Sequence, residues 1–63
     1  MKASAFTKSG RVVTVRSRKV GVNFGLVGQV VARNGRVLAE TEVFPLGCEH
    51  IAVDRAVELA SRI

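Results

Sequence analysis

The pair Asn34-Gly35 constrains this chain more than any other feature, because it stands between two runs of alternating apolar residues. Both residues accept the positive φ of a two-residue type I′ turn, a strong short-range signal for a hairpin. Such a loop pairs Arg33 with Arg36, Ala32 with Val37, and so outward. One face then gathers Ala32/Val37, Val30/Ala39, Gly28/Thr41 and Leu26/Val43. The other gathers Arg33/Arg36, Val31/Leu38, Gln29/Glu40 and Val27/Glu42. The first set is almost wholly apolar and the second is mixed. A slip by one residue would scramble both, so pattern and turn agree.

The remaining segments extend that hairpin. Ser9-Gly10 marks a turn between residues 3–8 and 11–19, and the second segment reads as a strand by its valines. Residues 21–25 read as a loop or a bulged strand. Gly21, Gly25 and Gly28 lack the spacing and the strand–loop–helix context of a dinucleotide-binding loop, so they read as a bulge or a close strand contact. Pro45 cannot donate to a ladder and ends the hairpin region. After Gly47 the period changes: Ala52, Val53, Ala56, Val57, Ala60 and Ile63 fall at helical spacing, with Asp54, Arg55, Glu58, Ser61 and Arg62 opposite. Glu49 and Arg62 suit the helix dipole, and Gly47 or Cys48 stands at the N-cap. The alanines allow close approach to the Leu26/Val30/Val37/Val43 face. The expected fold is α+β: an antiparallel β-sheet of three to four strands packed on one C-terminal α-helix, with residues 1–63 as a single domain.

Size limits what such a fold can do. A domain of 63 residues buries only about 60% of the surface its unfolded chain exposes, so its core is thin and leaves no room for a deep catalytic pocket. The single Cys forms no intramolecular disulfide, which points to a reducing compartment, or at least to no disulfide framework. At 48% apolar residues the chain is not a disordered basic tail. Its start has no signal-peptide run, and no stretch approaches the roughly 20 apolar residues of a membrane span. A soluble, cytoplasmic protein is expected. Oligomerisation commonly supports so small a core, so a homo-oligomer, a homodimer in the simplest case, is expected too.

Charge separates the chain into halves. Residues 1–36 hold Lys2, Lys8, Arg11, Arg16, Arg18, Lys19, Arg33 and Arg36 and no acid. Residues 37–63 hold Glu40, Glu42, Glu49, Asp54 and Glu58 against Arg55 and Arg62. The halves carry +8 and −3. A field this polarised favours a polyanionic partner, nucleic acid first. If Val13 and Val15 face the helix, Val12, Thr14, Arg16 and Arg18 share the other face, joined by Arg33 and Arg36 if this strand lies beside the hairpin. Two arginines directly opposite one another repel, and an anion would relieve them. The candidate nucleic-acid-binding residues are therefore Arg11, Arg16, Arg18, Lys19, Arg33 and Arg36. The same face carries Val12, Val27, Val31 and Leu38, an exposed apolar strip of the kind that marks interfaces. Phe6, Phe24 and Phe44 are expected in the core, which speaks against base stacking.

Cys48-Glu49-His50 gathers a thiol, a carboxylate and an imidazole. With one Cys and one His in the chain, a metal site or a Cys-His nucleophile is disfavoured against a small buried Cys beside an exposed His. No metal or cofactor is expected, and no carboxylate pair or triad suggests an enzyme.

Residues 31–44 read Val-Ala-Arg-Asn-Gly-Arg-Val-Leu-Ala-Glu-Thr-Glu-Val-Phe. This resembles the repeat unit of the YegP-like family of small bacterial domains of unknown function: an apolar strand, Ala-x-Asn-Gly, a strand beginning x-Val-Ile/Leu, then Ser-Glu-x-Tyr and a helix. Ala32, Asn34, Gly35, Val37, Leu38, Glu42 and Phe44 fill matching places, with Thr41 for Ser and Phe44 for Tyr. The resemblance spans residues 26–63, with Pro45-Leu46-Gly47-Cys48 replacing the family's Ser/Lys/Ala-rich helix start. It implies a ββα unit and no chemistry. Composition and pattern together lead to a non-enzymatic binding protein that holds nucleic acid on a basic sheet face in the manner of β-ribbon readers. The alternative is a protein-interaction module or inhibitor that docks or dimerises through the apolar strip.

Overall fold

A computed structural model describes residues 2–22 and 24–63. Four strands follow one another along the chain, β1 (Lys2–Phe6), β2 (Val12–Val20), β3 (Gly25–Val31) and β4 (Val37–Glu40), and then comes one helix, α1 (Glu49–Ala60). The strands form one antiparallel sheet in the order β1-β2-β3-β4. α1 lies across one face of it, chiefly over β2 and β3. This is the α+β architecture expected from the sequence, with four strands. Among the described residues no helix is long and apolar enough to cross a membrane.

Alternation along the strands decides which face the helix covers. Ala5, Val13, Val15 and Val30 enter one buried cluster with Val53, Ala56 and Ala60 of α1, and Ala39 and Leu59 pack at its edge. The alanines do what their size allows, bringing helix and sheet into close contact. Gly28 completes that approach: a Cβ built there would lie 2.1 Å from the carbonyl oxygen of Ala52 and 3.1 Å from the Cβ of Ala56. Gly28 therefore makes its close contact with the helix and not, as expected, with a strand or at a bulge. Cys48 occupies the N-cap without a side-chain hydrogen bond, and Glu49 Oε1 accepts from the Gly47 amide at 3.0 Å.

The apolar face differs in part from expectation. α1 sits chiefly over β2 and β3, and Val37 pairs with Val31 on the face away from the helix, so Val37 remains exposed, as does Val43. Val57 faces outward, and Ile63 lies beyond the helix, exposed. Phe6 and Phe24 are not in the core, and Phe44 is only half-buried.

The hairpin keeps its expected register in the middle but not at its tip. The loop has three residues, not two: Gly35 N donates to Ala32 O at 2.9 Å, and Ala32 N donates to Arg36 O at 2.8 Å. Arg33 therefore sits in the loop and does not face Arg36. Val31 pairs with Val37, and then Leu38 is passed over so that Val30 meets Ala39 and Gln29 meets Glu40. The bulge at Leu38 cancels the extra loop residue. With three residues in the loop, the bulge returns Val30 and Ala39 to one pair under the helix. Farther along, Thr41 N donates to Gly28 O at 2.8 Å, but Leu26 bridges to Phe44 in place of Val43.

Gly35 closes the loop at φ +90°, and nothing would touch an added Cβ. Strain is then the whole effect of a side chain there. Gly35→Ala is expected to cost about 1–2 kcal/mol, read from the midpoint of urea unfolding. An unchanged midpoint would mean that the loop readily takes another conformation.

Candidate nucleic-acid interface

With Val13 and Val15 under α1, alternation sends Val12, Thr14, Arg16 and Arg18 to the face that α1 leaves uncovered. The ladder builds that face in rows. Lys2, Arg16, Gln29 and Glu40 lie side by side on β1 to β4, followed by Ser4, Thr14, Val31 and Val37, and then by Phe6 and Val12 at one end. Arg18 stands beside Val27 toward the other end.

The first row is chemically connected. Arg16 Nε donates to Gln29 Oε1 at 2.9 Å, and Gln29 Nε2 donates to Glu40 Oε2 at 2.5 Å. Gln29 is 2% exposed, so its amide is satisfied by these two ionic partners rather than by water. The ladder holds Arg16 flat against the sheet and offsets its charge in part with Glu40. Arg16 is accordingly half-buried, whereas Arg18 is exposed.

The other candidate cations separate into groups. β2 does lie beside the hairpin, but Arg33 and Arg36 belong to the β3–β4 loop, at the same end of the sheet as Lys8 and Arg11 in the β1–β2 loop. All four are exposed. Lys19 has the alternation of Val13 and Val15, so it leaves the sheet on the side opposite Arg18. From Arg11 to Arg18 the strand runs about 23 Å, at about 3.3 Å per residue. The basic set is therefore a track along β2, with Arg16 and Arg18 on its face and Arg11, Arg33 and Arg36 at its end.

None of these cations is neutralised by an acid in ion-pair contact. The ion pairs among the described residues both belong to Arg55, with Glu42 at 3.6 Å and Glu58 at 3.5 Å. Two acids of the second half are thus paired within that half, and Glu40 reaches Arg16 only through Gln29.

The apolar strip is smaller than the sequence suggests. Val12 and Leu38 are exposed, but Val27 and Val31 are each only 6% exposed. β3 is paired on both sides, and flanking residues such as Arg18 beside Val27, and Thr14 and Val37 beside Val31, shelter it. What the sequence reading placed inside, and the structure places outside, is Phe6: it stands on the uncovered face opposite Val12 and is 66% exposed. The signal was available, since an inward Ala5 beside Val13 requires an outward Phe6.

No protein-family model, curated protein or solved structure matches the chain.

A second feature borders the track. Near the end of β4 a shallow cleft of about 500 Å³ is lined by Arg18, Lys19, Val27, Gln29, Glu40 and Glu42 among others, so its lining carries charges of both signs. Cys48 is half-buried and His50 exposed, and no group of three or more His, Cys, Asp or Glu side chains placed to hold a metal ion occurs among the described residues.

Proposed function

We propose that this protein binds nucleic acid through the uncovered face of its sheet, as a non-enzymatic binding domain. The observation that carries the reading is the absence of any ion pair, among the described residues, for the cations of residues 2–36, while Glu42 and Glu58 of the other half pair with Arg55. Arg18, Arg11, Arg33 and Arg36 are exposed and reach phosphates. Arg16, held by Gln29, offers a guanidinium fixed in one plane, suited to a phosphate or a base edge. A track of about 23 Å spans roughly seven phosphates of one strand at about 3.4 Å each.

Gel retardation at two salt concentrations tests this. With four phosphates neutralised, duplex affinity is expected to fall about a hundred-fold between about 50 and 200 mM salt. Arg18→Ala should flatten the log–log slope by about one unit and shift stability by less than about 0.5 kcal/mol. If neither duplex nor single strand is retarded at low salt, the reading is wrong.

The competing reading is docking or dimerisation through Val12, Val27, Val31 and Leu38. It keeps only Val12 and Leu38 as exposed surface, because Val27 and Val31 are already buried within the subunit. Sedimentation equilibrium separates the two: a dimer that Val12→Asp dissociates would favour the protein partner.

A further inference from the structure

Phe6 is the largest side chain on the uncovered face that the electrostatic reading leaves without a role. Its phenyl ring is 66% exposed, and its cross-strand neighbour Val12 is 49% exposed. Together they make an apolar platform one residue from a tightly closed loop. In that loop Thr7 N donates to Arg11 O at 2.8 Å, and Arg11 N donates to Thr7 Oγ1 at 3.0 Å. The platform is therefore held in place. Lys8 and Arg11 stand in this loop, and Arg33 and Arg36 in the β3–β4 loop, so exposed cations gather at the end of the sheet that carries the platform. β1 pairs only with β2, which leaves the strand carrying Phe6 open along its outer edge.

Resting on the nucleic-acid reading above, we infer that the site takes single-stranded RNA or DNA in preference to duplex, with a base stacked on Phe6 and the flanking phosphates held by Arg11, Arg33 and Arg36. A duplex offers phosphates but keeps its base faces stacked within the helix, so Phe6 would gain nothing from it. A single strand offers both, and an aromatic ring in a basic groove is the surface that such strands use. Charge also argues against a second copy of this chain on the platform. A two-fold contact centred on the platform would bring the two copies' basic loop ends close together.

Fluorescence anisotropy with labelled oligo-U, oligo-dT and a mixed-sequence duplex of matched length tests the inference. The wild type should bind the single strands about ten-fold or more tightly than the duplex. Phe6→Ala should lose about ten-fold on single strands while leaving duplex affinity and its salt slope unchanged. An unchanged thermal midpoint would show that the variant folds. Phe6→Trp should restore single-strand binding. The chain has no other Trp, so quenching of that indole by the bound strand would report stacking directly. Equal affinity for duplex and single strand, or a Phe6→Ala variant that binds single strands like the wild type, would overturn the stacking inference while the broader reading stands. A wild type that binds no nucleic acid would end both. Self-association abolished by Phe6→Ala would assign the platform to a second copy instead.

Discussion

Gly28→Ala is expected to lower the thermal unfolding midpoint by about 10 °C or more, followed by circular dichroism. The added methyl would sit 2.1 Å from the Ala52 carbonyl oxygen, an atom of helix backbone that cannot rotate aside. Relief requires α1 to lift from the sheet, and Ala52, Val53, Ala56 and Ala60, all buried, would lose contact together. Overfilling a packed site costs about 1–3 kcal/mol and at times more, and each kcal/mol moves the midpoint of so small a domain by about 4–8 °C. An unchanged midpoint would mean that helix and sheet can separate freely, and would contradict the close packing described here.

Gln29→Leu is expected to destabilise the fold by about 1–3 kcal/mol, measured by urea unfolding. Leucine is close to glutamine in volume, so the loss reads the two hydrogen bonds rather than a cavity. Gln29 is buried and joins Arg16 to Glu40, which would then face an apolar side chain between them. Partial exposure of both ions lets water recover some of the loss, which keeps the figure below that of a fully buried network. A double-mutant cycle with Arg16→Met should show coupling of about 0.5 kcal/mol or more. Additive effects would show that the ladder is only a row of neighbours.

The parts of this structure that were legible in the sequence are those governed by period and punctuation. Valine alternation gave β2, the change of spacing after Gly47 gave α1, and the Val30/Ala39 and Gln29/Glu40 pairs followed from the hairpin pattern. The errors arose where two local preferences competed. Asn34-Gly35 favours a two-residue loop, yet the chain uses three residues and a bulge at Leu38, and both arrangements place Val30 opposite Ala39. Hydrophobicity alone points Phe6 to the core, against its alternation with Ala5. The absence of a second layer points to exposed Val27 and Val31, but a central strand in a narrow sheet is sheltered by its neighbours' side chains. The pairing of Gln29 with Glu40 is legible in the hairpin pattern, but its burial depends on Arg16 of β2 lying beside it, which no local signal specifies.

The strands pair strictly in the order in which they occur, and the helix that buries their inner face comes after all four. The hairpins can zip locally, but a sheet this small with one naked apolar face has little independent stability. As the chain leaves a ribosome, the pairing of β1 to β4 therefore remains provisional until residues 49–60 emerge and close over Val13, Val15 and Val30. Hydrogen exchange should accordingly show the four strands and the helix opening as one cooperative unit, with no sheet that outlives its helix.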